Sequence, residues 1–413
     1  MQIHPSARRS TGRLGLALAG GGPQGAIYEI GVLRALDDAL DGVDFNNVPV
    51  TVGVSAGALV GACLANGIST AQMARSVVHQ EPGEHPFRPE LFLRPASGEI
   101  GKRLLSIPKL VAGSLADTLR HPRTYGLLAT LIERLSRSVP AGLFDNRPLR
   151  DFLVRLFSLA GRTDDFRDLA NTLIVVAADL DAGKTARFGE GELADVPISL
   201  AIQASTALPG LYPPVEIDGR HFVDGVLHKT VHASVALERG AELVICVNPI
   251  VPVDTVRTVE QGVMRRGKLM DRGLPTVMSQ TLRTLIHSRL DTGLAAYGDR
   301  YEADVVLFEP TRDDYTMFFV NVFSFSERKT VLEHAYASTL RQLAARREEI
   351  GPIFERHGIV LREDVLDSPP DLWESVALGR RRRSAKNGRA VMPSTVATRD
   401  LRDTLGELDS LLG

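Results

Sequence analysis

The stretch LGLALAGGGPQGAIYEIGVLRAL, residues 14–36, decides the fold class. Its apolar opening, Arg13 to Ala19, reads as a buried strand, and the glycines Gly20, Gly21 and Gly22 end it. Beyond them Ile27, Ile30, Leu33, Leu36 and Leu40 recur at three- and four-residue spacing, the period of a helix with a buried face. A second unit of the same kind follows. Val50 to Val54 reads as a strand, GVSAG (Gly53 to Gly57) sits at its end, and Ala56 to Leu64 reads as a helix. Strand, glycine turn and helix in alternation are the pattern of an α/β fold.

Working outward, Leu173 to Ala178, Leu243 to Val247 and Val305 to Phe308 are further strand candidates. Their near-continuous apolar character suits parallel strands covered on both faces. Helical segments are expected around Ser199 to Ala204, Thr276 to Ala296 and Glu327 to Glu349. Two regions interrupt the pattern. Residues 79–147 are rich in proline and in mixed basic and apolar residues; Leu104 to Leu119 could form an apolar face flanked by Lys102, Arg103, Lys109 and Arg120, with Pro108 kinking it. Such a stretch packs on the protein's own core or lies on an anionic bilayer. The tail carries a basic run, Arg380 to Arg383 with Lys386 and Arg389, then an amphipathic segment with Leu401, Leu405, Leu408 and Leu411. A solvated linker with a docked or frayed helix is the plainer reading, and contact with anionic lipid the other.

Composition excludes some classes. The chain has 413 residues, 44% hydrophobic and 24% charged, with a net charge of -2 that gives no electrostatic case for nucleic acid. Its two cysteines, Cys63 and Cys246, lie in apolar surroundings and read as buried thiols rather than a disulfide framework. No apolar run reaches the ~18 to 20 residues of a spanning helix. Arg8-Arg9 ahead of LGLALAG has the outline of a twin-arginine export signal, but its apolar core of about seven residues is short. Cleavage after Ala19 would also remove the first strand. A cytoplasmic protein, with peripheral contact at a membrane as an option, is the expectation.

The chemistry sits in the two glycine turns. GGGPQG, Gly20 to Gly25, lets the backbone approach a ligand and aims amide donors at negative charge, either a phosphate or the oxyanion of an ester under attack. The spacing satisfies G-x-G-x-x-G, so dinucleotide binding is a rival. That reading wants an acid at the end of the second strand, where Gly53-Val54-Ser55 stands, and Pro23 removes one amide. GVSAG is a weak motif alone; between a strand and a helix it holds the Ser55 oxygen clear of the backbone. Two turns at the same end of neighbouring parallel strands would bring the Gly21 and Gly22 amides beside Ser55, as an oxyanion hole requires. A structural serine at a helix N-cap is the plain alternative. The candidate base is Asp224 in HFVDGVLH, where Asp224-Gly225 marks a tight turn. His221, His228 and His232 lie close by, so residue types alone leave a Ser–His–Asp triad open. His228 and His232 lack the third ligand a metal site needs, so no metal is expected.

At this point the chain resembles the patatin-like phospholipases. The resemblance rests on GGGPQG, GVSAG, GLFDNRPL (Gly142 to Leu149), ASTALPGLYPP (Ala204 to Pro214) and Asp224-Gly225, in that order. It implies a three-layer α/β sandwich with a mostly parallel central sheet, plus C-terminal helices. It also implies a Ser–Asp dyad without histidine and hydrolysis of phospholipid or other fatty-acyl esters, with no cofactor. Carried over, Ser55 is the nucleophile and Asp224 the base. Gly20, Gly21 and Gly22 form the oxyanion loop, supported by Gln24, Gly25, Gly53, Gly57 and Gly225. Gln24 stands where the family usually has Arg or Lys, and Val226 where it usually has Gly or Ala. The first departure gives a catalytically weak lipid-binding scaffold some support. The expected organisation is a catalytic core over 14–235 with 79–147 inserted as a lid or membrane-contact region, a C-terminal α/β extension over 236–365, and a basic linker and tail over 366–413. The oligomeric state is left open.

Overall fold

The computed structural model describes residues 3–4, 13–78, 93–98, 101, 105, 140–260, 262, 268–271, 273–314, 317 and 325–377. The amphipathic stretch 104–120 lies almost wholly outside these residues, and the basic run and tail lie entirely outside them.

The strands in chain order are β1 (Ile3–His4), β2 (Leu14–Leu18), β3 (Leu40–Asp41), β4 (Val50–Val54), β5 (Thr172–Asp179), β6 (Lys184–Phe188), β7 (Val215–Ile217), β8 (Arg220–Asp224), β9 (Leu243–Val247), β10 (Asp304–Phe308) and β11 (Val360–Leu361). All but β3 and β11 belong to one sheet, with β10-β9-β2-β4-β5 as its parallel centre. Antiparallel strands finish both ends: β1 on β10, and β6, β8 and β7 around β5. The strands read from apolar runs are the parallel ones. Those that sequence reading missed are the antiparallel ones. The β7–β8 hairpin turns at Asp218-Gly219, both at positive φ (50° and 76°), the geometry that favours Asp-Gly.

Helices cover both faces. Along β2, Leu14, Leu16 and Leu18 join one buried cluster while Ala17 and Ala19 join the other, as the two-residue period of a strand requires. On the first face pack α1 (Gly22–Ala39), α2 (Ala56–Ala65) and α3 (Thr70–Val78), together with the helices Arg147–Phe157, Ile198–Ser205 and Phe325–Ala345. On the second face lie Ala233–Glu238 and Leu274–Arg300. The segment read as one helix over Glu327 to Glu349 is two, Phe325–Ala345 and Arg347–Arg356, because Arg346 leaves the helical region (φ -123°, ψ 21°). Among the described residues no helix is long and apolar enough to cross a membrane.

β2 and β4 are each followed by a helix that folds back over the sheet, and at β4 the return is very tight. A Cβ on Gly53 would lie 2.5 Å from Ala58 Cα, and one on Gly57 would lie 2.5 Å from the carbonyls of Leu18 and Ala19. Gly57 N–H donates to Ala19 O at 2.9 Å, pinning the start of α2 to the end of β2. The glycines of GVSAG are therefore demanded by backbone approach. Gly57→Ala should cost at least about 2 kcal/mol, because rigid main chain blocks the methyl. Gly61→Ala, whose methyl would meet the Thr51 side chain at 3.0 Å, should cost less; thermal denaturation of the pair checks the order.

Candidate active site

Ser55 follows β4 and precedes α2 with φ 52° and ψ -116°, a sparsely populated conformation for a side-chain-bearing residue. It occupies the N-cap position, yet its hydroxyl makes no capping hydrogen bond. A plain N-cap serine would spend its oxygen on the helix. Its backbone N–H instead donates to Ser205 Oγ at 2.7 Å, and Ser205 Oγ donates to Val176 O at 2.6 Å. A fully buried hydroxyl at the end of helix Ile198–Ser205 thus ties the strained turn to the neighbouring strand.

Asp224 reaches Ser55 through strand pairing. On one side of β5, β4 is in register from Val50↔Thr172 to Val54↔Val176. Strand β6 occupies the opposite side from Val175 to Asp179. The pairing Ala177↔Asp224 therefore puts β8 on the β4 side, one residue beyond the point where β4 ends. The last residue of β8 lands where the chain leaves β4 for Ser55. Gly225 lets the two backbones close up, since a Cβ there would lie 2.5 Å from Val176 O. Asp224 N–H donates to Ala207 O at 3.0 Å, and the Asp224 carboxylate accepts from Val226 N–H at 2.9 Å. Burial pushes the Asp224 carboxyl up to about 7; the Val226 amide and a hydrogen bond with the Ser55 side chain pull the other way and lose. Burial raises the phenol of Tyr212, in the ASTALPGLYPP stretch, and the nearby Asp224 adds to the shift.

The glycine loop closes the third side. A Cβ on Gly20 would sit 3.2 Å from Ser55 Cβ and 3.4 Å from Val226 Cγ2, so the loop lies against the serine. Gly21 takes φ 155° and Gly22 φ 61° as α1 begins. Pro249, just after β9, packs on the turn: Cβ atoms on Gly21 and Gly25 would lie 2.7 and 3.0 Å from its Cγ. The Gln24 side-chain amide donates to Met317 O, so this residue anchors the first turn of α1.

Two of the three histidines take other partners. His221 pairs with Asp181 (3.0 Å) at the surface, and the buried His232 ring sits 3.4 Å from Gly225 O, with burial lowering it to about 3. His228 ends the short turn after Asp224. Among the described residues no group of three or more His, Cys, Asp or Glu is placed to hold a metal. Cys63 and Cys246 are free and buried, as their surroundings suggested. Sequence reading gave no role to Ser205 or Pro249. Ser205 stood inside the quoted ASTALPGLYPP stretch, but its partner is 150 residues away in sequence.

With this geometry in hand, the chain matches the patatin-like phospholipase family over residues 16–237. Among solved structures it is similar to VipD from Legionella pneumophila, at 13% identity over 93% of this chain and 85% of that one, with a TM-score of 0.30. It is also similar to the type III effector ExoU, at 15% identity over 94% and 71%, with a TM-score of 0.29. Likeness at that level bears no weight here.

Two measurements follow from the geometry. A carboxyl raised by burial stabilises the fold below its unfolded value near 4, and that contribution is lost as pH rises through about 7. Asp224→Asn does not titrate, so its stability relative to the wild type should rise from pH 4 to 7 and then level, by on the order of 4 kcal/mol at most, read as a growing Tm difference. Ser205→Ala leaves the Ser55 N–H and Val176 O without their bridge and should destabilise by about 1–3 kcal/mol in chemical denaturation.

Proposed function

Because the chain belongs to the patatin-like phospholipase family, lipid acyl hydrolysis is the activity its site has to account for, and we propose that it proceeds on a Ser55–Asp224 dyad. The observation that carries this reading is the strand register that delivers the buried Asp224 carboxyl to the turn holding Ser55, where burial raises it to about 7. A base is most effective when its pKa lies near the working pH. An ordinary carboxylate would be too weak to take a serine proton; one held near 7 is far better matched.

In this mechanism the Ser55 hydroxyl attacks the ester carbonyl while its proton passes to Asp224. Charge develops on the carbonyl oxygen, and the amides of the Gly20–Gly22 loop are the donors that hold it; one such donor is worth roughly 10²–10³ in rate. Collapse expels the alcohol, which takes the proton back from Asp224, and leaves acyl-Ser55. Water, deprotonated by the same carboxylate, then releases the fatty acid. The strained backbone of Ser55 keeps its oxygen off the helix, so nothing has to be broken before attack. The substrate class proposed is a phospholipid or another fatty-acyl ester.

A fluorophosphonate probe followed by peptide mapping should label Ser55. Ser55→Ala should lose the label and at least about a thousandfold of turnover on a soluble chromogenic ester while keeping the wild-type circular dichroism spectrum. Ester turnover retained by Ser55→Ala would end this reading.

A further inference from the structure

Strand β9 runs into the turn Asn248-Pro249-Ile250, and this turn is what presses on the glycine loop. Cβ atoms on Gly21 and Gly25 would lie 2.7 and 3.0 Å from Pro249 Cγ, so the ring leaves less than a methyl's room over the loop. Proline has no N–H with which to fix itself, so its neighbours set its place. Asn248 is fully buried, and it closes the turn around the ring. Its Oδ1 accepts from Ile250 N–H at 3.0 Å, and its Nδ2 donates to Ile250 O at 3.2 Å. Its backbone N–H donates to Phe308 O at 2.9 Å, holding the turn to the end of β10. The second Nδ2 proton goes to Glu309 Oε2 at 3.0 Å, and His287 Nε2 stands 3.5 Å from the same oxygen. Glu309 is only 9% exposed. Burying a carboxyl group costs stability, and nothing in the proposed ester chemistry uses this one.

We infer that Glu309 and Asn248 are positioning residues for the oxyanion loop, an assignment that rests on the serine acyl hydrolase reading. Their hydrogen bond sets the Pro249 ring, and the ring holds the Gly20–Gly22 turn in the one shape that serves the reaction. A run of three glycines has many conformations open to it. Donors fixed in advance stabilise a developing oxyanion without reorganising at the moment of attack. A misplacement of about 1 Å at such a site costs roughly a hundredfold in rate, so a clamp on the loop acts on turnover without touching the ester.

The test compares Glu309→Ala with Glu309→Gln on p-nitrophenyl butyrate, a soluble ester. Glu309→Ala removes the acceptor of Asn248, and kcat should fall about tenfold or more with KM within about twofold. Glu309→Gln keeps an oxygen for Asn248 and should return kcat to within about threefold of wild type. Wild-type kcat in Glu309→Ala, or a Glu309→Gln as slow as Glu309→Ala, would overturn the proposal. If Glu309→Ala does not fold, Pro249→Ala decides, since it removes the ring and leaves no buried polar group unpaired: its kcat falls in the same way, or the proposal fails. Hydrogen–deuterium exchange of the peptide spanning residues 14–30, read by mass spectrometry, separates the inference from its premise. Faster exchange in Glu309→Ala and Pro249→Ala, with wild-type exchange in Glu309→Gln, supports the clamp even if the wild type turns over no ester. Exchange at the wild-type rate in all three variants overturns it even if Ser55 is labelled and active.

Discussion

On one side of β5, backbone pairing passes from β4 to β8 between Val176 and Ala177. That handover brings together two side chains separated by 169 positions in sequence, since β4 delivers Ser55 (55) and β8 delivers Asp224 (224) to adjacent points on one strand. A parallel strand and an antiparallel strand can meet end to end there because they enter from opposite directions. Val176 is the anchor of the junction. Its carbonyl receives the Ser205 hydroxyl and lies 2.5 Å from where a Gly225 Cβ would stand. The glycine loop after β2 then needs only to follow its own strand to arrive beside them.

The cost of the arrangement falls on stability. Ser55 is held at positive φ, and a carboxyl is buried in surroundings that raise it to about 7. Both are unfavourable for folding and both are concentrated at one spot, which is how reactive groups are commonly maintained. The surrounding contacts hold them in place: the Ser205 bridge, the Gly57–Ala19 hydrogen bond and Pro249 against the glycine turn. Replacing the arrangement by a relaxed one would give a steadier protein.

Much of this could be read from the sequence, and the physical reason is burial on two faces. Strands β4 and β9 have the boundaries expected, because a parallel central strand must be apolar throughout. The helix after Gly22 announced itself by its period, and its glycines by the backbone they approach. The antiparallel strands were harder to read: β6 is KTARF, partly exposed and charged, and β7 has only three residues. Asp218-Gly219 was a usable turn signal for the β7–β8 hairpin that apolar runs alone do not reveal. Which carboxylate meets Ser55 depended on the register of β8 on β5, a long-range fact that local spacing cannot contain. The Ser205 bridge and the anchoring of Gln24 to Met317 are likewise products of distant chain packing.

The dyad claim is tested most directly by the steady-state turnover of Asp224→Asn on a soluble chromogenic ester, with its fold checked by circular dichroism. With the carboxylate as the base, kcat falls by about a thousandfold or more, since the amide that replaces it cannot take the serine proton. Turnover within about tenfold of wild type would contradict the account and hand the proton to one of the neighbouring histidines.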